Sequence, residues 1–267
     1  MSNYIETAKK EIETWEHEGP GFLSNVGEMI LWPAQKAAEA LISDNVFDTI
    51  GKAIEAMLAG LKHTANYTIN TIEIRARLEE TAKSFKERFE AVDETARHYW
   101  NWHIAYAAGE GAFLGSGGIA SLAADIPIIL GMAVRLIQEI SICYGFDIDT
   151  ESDKTYLMHI LMAGSALDEK AKSEYILALK NIETVLVNVA KGNIDSHEAG
   201  KKINEMALLT NVDQFAEKLG IQITKRKALQ IVPLLGGLVG GCFNAAFMND
   251  IGKSAFMNYR RRWIASF

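Results

Sequence analysis

GAFLGSGGIASLAADIPIILGMAV, Gly111 to Val134, and ALQIVPLLGGLVGGCFNAAFMN, Ala228 to Asn249, decide how the rest of this chain is read. The second stretch carries no charged residue and the first carries only Asp125. Each is roughly two dozen residues long, about what one helix needs to cross the hydrocarbon of a bilayer. Glycines stand four apart in both: Gly111 with Gly115, Gly236 with Gly240, and Gly237 with Gly241. An interior glycine costs a helix about 1 kcal/mol against alanine. Such clusters therefore need a compensating contact, and close approach of two helix backbones is the usual one. Close helix packing is expected at these six glycines. Pro127 and Pro233 fall inside the stretches and are expected to kink or break them.

Outside the two stretches the pattern is helical throughout. Ile5, Ala8, Ile12 and Trp15 repeat at helical spacing, and Gly19-Pro20-Gly21 stops that first helix. A second helical region is expected from about Val26 to Leu61. A long helix is expected from about Tyr67 to Trp100, because Leu78, Ala82, Phe85, Phe89, Val92, Ala96 and Tyr99 form one apolar stripe. Gly145 suits a left-handed helix stop. Thr150 with Asp153, Asp168, and Asp195 with Glu198 mark later helix starts, while Gly164 and Gly192 mark ends. A short helix from Asn211 is expected to end at Gly220, with Thr224 capping the next. No segment alternates with a period of two over a useful length. The expectation is an all-α protein, residues 1–267 forming a single multi-helix domain with the two glycine-rich stretches at its centre.

Composition narrows the function classes. The chain has 267 residues, 49% hydrophobic and 23% charged, with a formal net charge of -7. A mean hydropathy of +0.02 is far too low for a multi-span membrane protein. The acidic balance argues against general nucleic-acid binding. The N-terminus is polar and amphipathic, without a secretory signal. Cys143 and Cys242 lack a CxxC partner and read as small buried hydrophobes of a reducing cytosol. Together these give a cytoplasmic expectation.

The two stretches admit two readings: buried central helices, or elements that lie on or insert into a membrane. In the second, Lys225, Arg226 and Lys227 before one stretch, and Arg260, Arg261 and Arg262 after it, would be membrane-facing basic anchors. Asp125 among apolar neighbours must be paired, hydrogen-bonded or protonated if buried. Asn244 and Lys225 are candidates to meet it, and a cap at a helix break before Pro127 is the structural alternative. His98, His103 and Glu110 lack the spacing of a metal site, and no metal or cofactor is expected. Gly115-Ser116-Gly117-Gly118 lacks the context of a phosphate loop or a nucleophile elbow.

The run DIPIILGMAVRLIQEISICYGFD, with Asp125, Pro127, Arg135 and Tyr144-Gly145-Phe146-Asp147, resembles the signature of the EcsC protein family. So does TKRKALQIVPLLGGLVGGCFNAAFMNDIGKSAFMNYRRRW, through Thr224 to Arg226, Pro233, Gly236, Gly240, Asn244 and Arg262-Trp263. Trp15 and Trp32-Pro33 extend the likeness over nearly the whole chain. The resemblance implies a prokaryotic origin and an accessory protein whose family is named for a neighbour of ABC-transporter genes; it supplies no catalytic residues. Asp125, Arg135, Tyr144, Asp147 and Asn244 are the candidates for ligand or partner binding. The leading expectation is a non-enzymatic protein, peripheral to the membrane, that engages anionic lipid or a membrane protein. The alternatives are a soluble carrier of an apolar molecule such as an acyl chain, held near Asp125, and a hydrolase using Asp125 with His103 or Glu110.

Overall fold

The computed structural model describes residues 2–21, 51–52, 54–56, 71–81, 85–114, 119–208, 212–228 and 239–267. Among them lie nine long helices and no strand, so the protein is all-α. In chain order these are α1 (Ser2–His17), α2 (Thr71–Thr81), α3 (Phe85–Leu114), α4 (Ile119–Cys143) and α5 (Glu151–Ser165). They continue as α6 (Glu169–Ala190), α7 (Ser196–Met206), α8 (Val212–Ala228) and α9 (Val239–Ala265). Most of the region expected to be helical from Val26 to Leu61 lies outside the described residues.

Local chemistry explains many of the boundaries. Side-chain oxygens of Thr150, Asp168 and Asp195 accept from the backbone N–H groups of Asp153, Ala171 and Glu198, which caps α5, α6 and α7. Gly145 (φ 80) and Gly192 (φ 73) take the left-handed conformation after α4 and α6, where a side chain would be strained.

Several boundaries differ from expectation because packing overrides local signals; α5, for one, runs through Gly164 to Ser165. The helix runs through Pro127 and through Gly220, so Pro127 does not break α4 and Thr224 is a buried interior residue of α8 instead of a cap. The expected rod from Tyr67 to Trp100 is two helices that fold back on each other. On one straight helix Arg75 and Asp93 would stand about 27 Å apart at 1.5 Å per residue. Instead Arg75 holds Asp147 at 2.9 Å, while Asp93 accepts from Tyr144, only three residues earlier.

α9 is the axis of the bundle, with α1, α3, α4, α5 and α6 packed around it. Its register against α3 is antiparallel: Gly252 meets Trp100, Arg260 meets Asp93, and Trp263 stacks on Phe89 at 4.4 Å. α4 also runs antiparallel to α3, pairing Glu139 with His103 and Tyr144 with Asp93. The end of α3, the start of α4 and the start of α9 therefore share one pole of the bundle, and the two glycine-rich stretches flank it.

The close approaches among described residues are at glycines of a different kind. A methyl on Gly164 would lie 2.9 Å from the Ile251 Cα, so α5 meets the α9 backbone there. A methyl on Gly252 would collide with the Trp100 indole. Gly111, Gly240 and Gly241 fall on α3 and α9, while Gly115, Gly236 and Gly237 lie outside the described residues.

Two consequences are testable. Gly164→Ala must push α5 off a rigid backbone and is expected to lower unfolding stability by about 1–3 kcal/mol in urea titration. His159 is fully buried on α5, and burial lowers its pKa from the ordinary 6.5 to about 4. Its Nδ1 donates to the Thr155 carbonyl. Between about pH 6.5 and pH 4 the unfolded chain binds the extra proton and the folded chain does not. Stability must therefore fall as pH drops through that window, by up to about 3 kcal/mol. His159→Leu is expected to flatten that part of a stability-versus-pH curve.

Candidate functional site

The C-terminal arginines, expected to face a membrane, turn inward instead, Arg260 and Arg262 buried and Arg261 largely so. Arg260 is 1% exposed and its Nη2 lies 2.6 Å from Asp93 Oδ2, itself 1% exposed. Tyr4 and Tyr144 donate to the same carboxylate at 2.8 and 2.7 Å. Burial pushes the Asp93 carboxyl above its ordinary value, against the pull of Arg260 and the two hydroxyls. Three donors on two oxygens nonetheless make it the ionised acceptor of the cluster. Burial likewise pushes Tyr4 up to about 12 and raises Tyr144 well above its ordinary value, so both hydroxyls keep their protons. Arg261 reaches Glu183 and Glu16 at 2.9 Å each and Asn258 at 2.8 Å. Arg262 pairs with Asp153 at 3.2 Å and lies 4.1 Å over the Phe146 ring. The sequence shows a basic helix end; it does not show that five helices cover it.

Several of the other expected positions also have structural partners. Arg226 is buried against Asp250 at 3.0 Å and donates to the Ala166 carbonyl at 2.8 Å. Lys225 beside it is half-buried, and Lys227 is the penultimate residue of α8. Arg135 pairs with Glu139 at 2.9 Å, and Tyr144 belongs to the Asp93 cluster. Asp147 ties down α2 through Arg75. Asn244 is buried, with no hydrogen-bond partner for its Oδ1 among the described residues. Asp125 is buried and held in a contact of its own.

Asp125 and His103, one pairing expected of a hydrolase, are not brought together. His103 is 1% exposed and its Nε2 lies 2.8 Å from Glu139 Oε2. Asp125 stands fourteen residues before Glu139 on the same helix, about 21 Å away along its axis. The side chain of Glu110 lies outside the described residues. No spacing rule pointed to Glu139, because His103 meets it only across the α3–α4 contact.

Beside this buried pair the surface is aromatic. Trp102 and Tyr106 are 51% and 47% exposed and stack at 5.3 Å, and Ile128 on α4 is 45% exposed. Tyr106 and Ile128 lie about 12–14 Å below the polar ends of their helices, and Trp102 about 18 Å. Polar tips and apolar bodies suit such rings to a water–lipid boundary.

Asp125 lines none of three clefts among the described residues, the smallest of which, about 290 Å³, lies against α1 at Ile12 and Glu16. One of about 570 Å³ lies between the end of α1 and helices α5, α6 and α9. In its wall the Lys172 amine donates to the Trp15 and Glu18 carbonyls at 2.6 and 2.7 Å, and burial lowers it to about 8. A second, of about 400 Å³, is walled by Val92, Ile142, Trp263 and Phe267.

This architecture, an axial apolar-ended helix locked by internal ion pairs, defines an all-α helical bundle. The EcsC protein family model matches residues 6–264, and the chain belongs to that family. It is similar to YdbA of Bacillus subtilis (strain 168), an uncharacterized protein, with 26% identity over 96% of this chain and 91% of YdbA. It is also similar to Protein EcsC of the same organism, with 24% identity over 79% of this chain and 74% of that protein. No solved structure matches.

The ion-pair cluster makes a direct prediction. Asp93→Asn removes the buried counter-charge of Arg260 and leaves it only the partly exposed Glu11, and is expected to cost about 3 kcal/mol of unfolding free energy in urea titration. Exchanging the partly exposed Arg75 for alanine is expected to cost under about 1 kcal/mol.

Proposed function

We propose that this chain is a non-enzymatic accessory protein that attaches peripherally to a membrane, on its cytoplasmic side, through the pole where α3, α4 and α9 begin or end. The convergence on that pole of the described parts of the two glycine-rich stretches, which hold only Asp125 as a charged residue, carries the reading. A single aromatic pair, Trp102 with Tyr106, stands at the depth where a headgroup boundary would lie.

Attachment is shallow in this reading. Glu110 lies one turn before the end of α3, and a carboxylate entering hydrocarbon is costly. The uncharged segment beyond it suits the headgroup–acyl boundary, where interfacial elements sit some 5–10 Å deep. The window Asp125–Cys143 of α4 has a mean hydropathy of 1.7, high enough for a span. Of that window, 72% is buried inside the bundle, which fits a core helix better than a lipid-facing one. Arg260 to Arg262 contribute nothing to this surface, being buried toward the opposite pole. Among the described side chains Lys225 is the basic residue nearest the second stretch that keeps some exposure, and most of the affinity in this reading is apolar.

Flotation with vesicles of phosphatidylglycerol and phosphatidylethanolamine tests this. The wild-type chain is expected to float with the vesicles. The exposed half of each ring is roughly 100 Å², worth about 2 kcal/mol at about 25 cal/mol per Å². Trp102→Ser with Tyr106→Ser should therefore weaken binding at least tenfold while the thermal transition stays within a few degrees. A wild-type chain that stays with the soluble fraction at every lipid concentration overturns the reading.

A further inference from the structure

We propose that α1 is a displaceable strap over a basic trough, and that the trough is a docking site for an acidic amphipathic helix of a partner protein, with α1 as the built-in competitor. The inference rests on the side of the bundle away from the glycine-rich pole and does not depend on membrane attachment.

α1 shows what the trough accepts. It buries a narrow stripe, Ala8, Ile12 and Trp15, and presents three carboxylates beside it. Glu11 meets Arg260, with Arg97 at 3.8 Å. Glu16 meets Arg261 at 2.9 Å and Lys180 at 2.5 Å. Glu18, just past the helix, meets Lys253 at 2.6 Å. The Lys172 amine takes the Trp15 and Glu18 carbonyls at the helix end and lies 4.7 Å over the Trp15 ring. Six cations from α3, α6 and α9 thus converge on one helix.

The floor of the trough does not need α1. Arg260 keeps Asp93, and Arg261 keeps Glu183 and Asn258, whether or not Glu11 and Glu16 are present. Those pairs are internal and weakly screened. Of the strap's own contacts, Glu16 (10% exposed) and the Tyr4 hydroxyl on Asp93 lie inside, but the outer pairs are of the other kind: Glu11 faces Arg97 with side chains 42% and 49% exposed, and Glu18 faces Lys253 with side chains 45% and 32% exposed. Ion pairs this wet are individually weak and are screened by salt. A helix of 16 residues is also marginal once detached, so its docking is held by the trough and not by its own helicity. Gly19-Pro20-Gly21 follows it, a sequence that ends the helix and gives a pivot.

Removing α1 takes away three acids and uncovers Arg97, Lys172, Lys180, Lys253, Arg260 and Arg261 around an apolar slot sized for Ile12 and Trp15. The internal acids Asp93 and Glu183 offset two of those cations. The remaining excess is positive, and the shape is that of a helix. An incoming helix with an apolar stripe ending in an aromatic residue, and acids at the spacing of Glu11, Glu16 and Glu18, satisfies both.

The test uses the full chain. Hydrogen exchange read by mass spectrometry is run at 50 mM and 500 mM sodium chloride. Protection of α1 is expected to fall at least tenfold at the higher salt, while α9 is unchanged. A fluorescein-labelled peptide with the sequence of residues 2–20 is then titrated, by anisotropy, against wild type and a Glu11→Gln, Glu16→Gln, Glu18→Gln variant. Binding at least tenfold tighter to the variant than to wild type is expected, and a peptide carrying the same three changes should not bind either protein. If α1 exchanges only together with α9 at both salts, or the acidic peptide binds both proteins alike or neither, the proposal fails. A variant that elutes as a dimer on size exclusion, with α1 exchanged between copies, would replace the partner helix by a second copy and equally overturn it. Should the variant not fold, the salt dependence of wild-type exchange decides.

Discussion

The contact between Arg260 on α9 and Asp93 on α3 is the constraint on which the rest of the structure depends. Both groups are almost fully removed from water, where an unpaired charge is intolerable. The pair is satisfied in a single alignment of the two helices, and a slip of one turn would strand both ions. Tyr144 brings the end of α4 to the same carboxylate, and Tyr4 brings α1. Four elements are thereby registered by one anion. Buried ion pairs contribute little net stability over apolar equivalents, so the role supported here is selection among alignments that apolar stripes alone would leave nearly equivalent.

Around that anchor the three consecutive arginines act as spokes of one hub. Because successive helical residues point about 100° apart, Arg260, Arg261 and Arg262 reach three different neighbours: Asp93 on α3, Glu183 on α6 and Asp153 on α5. Gly164 and Gly252 allow the approach that these bonds require, since both sit where α9 meets another helix too closely for a methyl group. Charge and small size act on the same axis, the first choosing the register and the second allowing the distance.

The same arrangement separates two surfaces of opposite character. One end of the axis runs out into uncharged sequence beside exposed aromatic rings, while the other is sealed by arginines whose remaining valences are met by the acids of α1. An apolar pole and a strapped basic flank are thus consequences of one helix that is hydrophobic at its start and cationic at its end.

Helix identity, most caps and the all-α class were determined by the sequence alone, because capping oxygens, glycine stops and the spacing of Phe89, Val92 and Ala96 act within one or two turns. The family resemblance was likewise readable there. Three features were decided only by tertiary structure. Pro127 and Gly220 stay helical because burial outweighs a local cost. Arg260 to Arg262 are internal because acids up to 249 residues away in sequence close over them. His103 finds Glu139 across a helix crossing that leaves no trace in spacing. The division follows range: the chemistry of a few neighbouring residues writes itself into sequence order, whereas counter-charges and close approaches exist only once distant segments share a register.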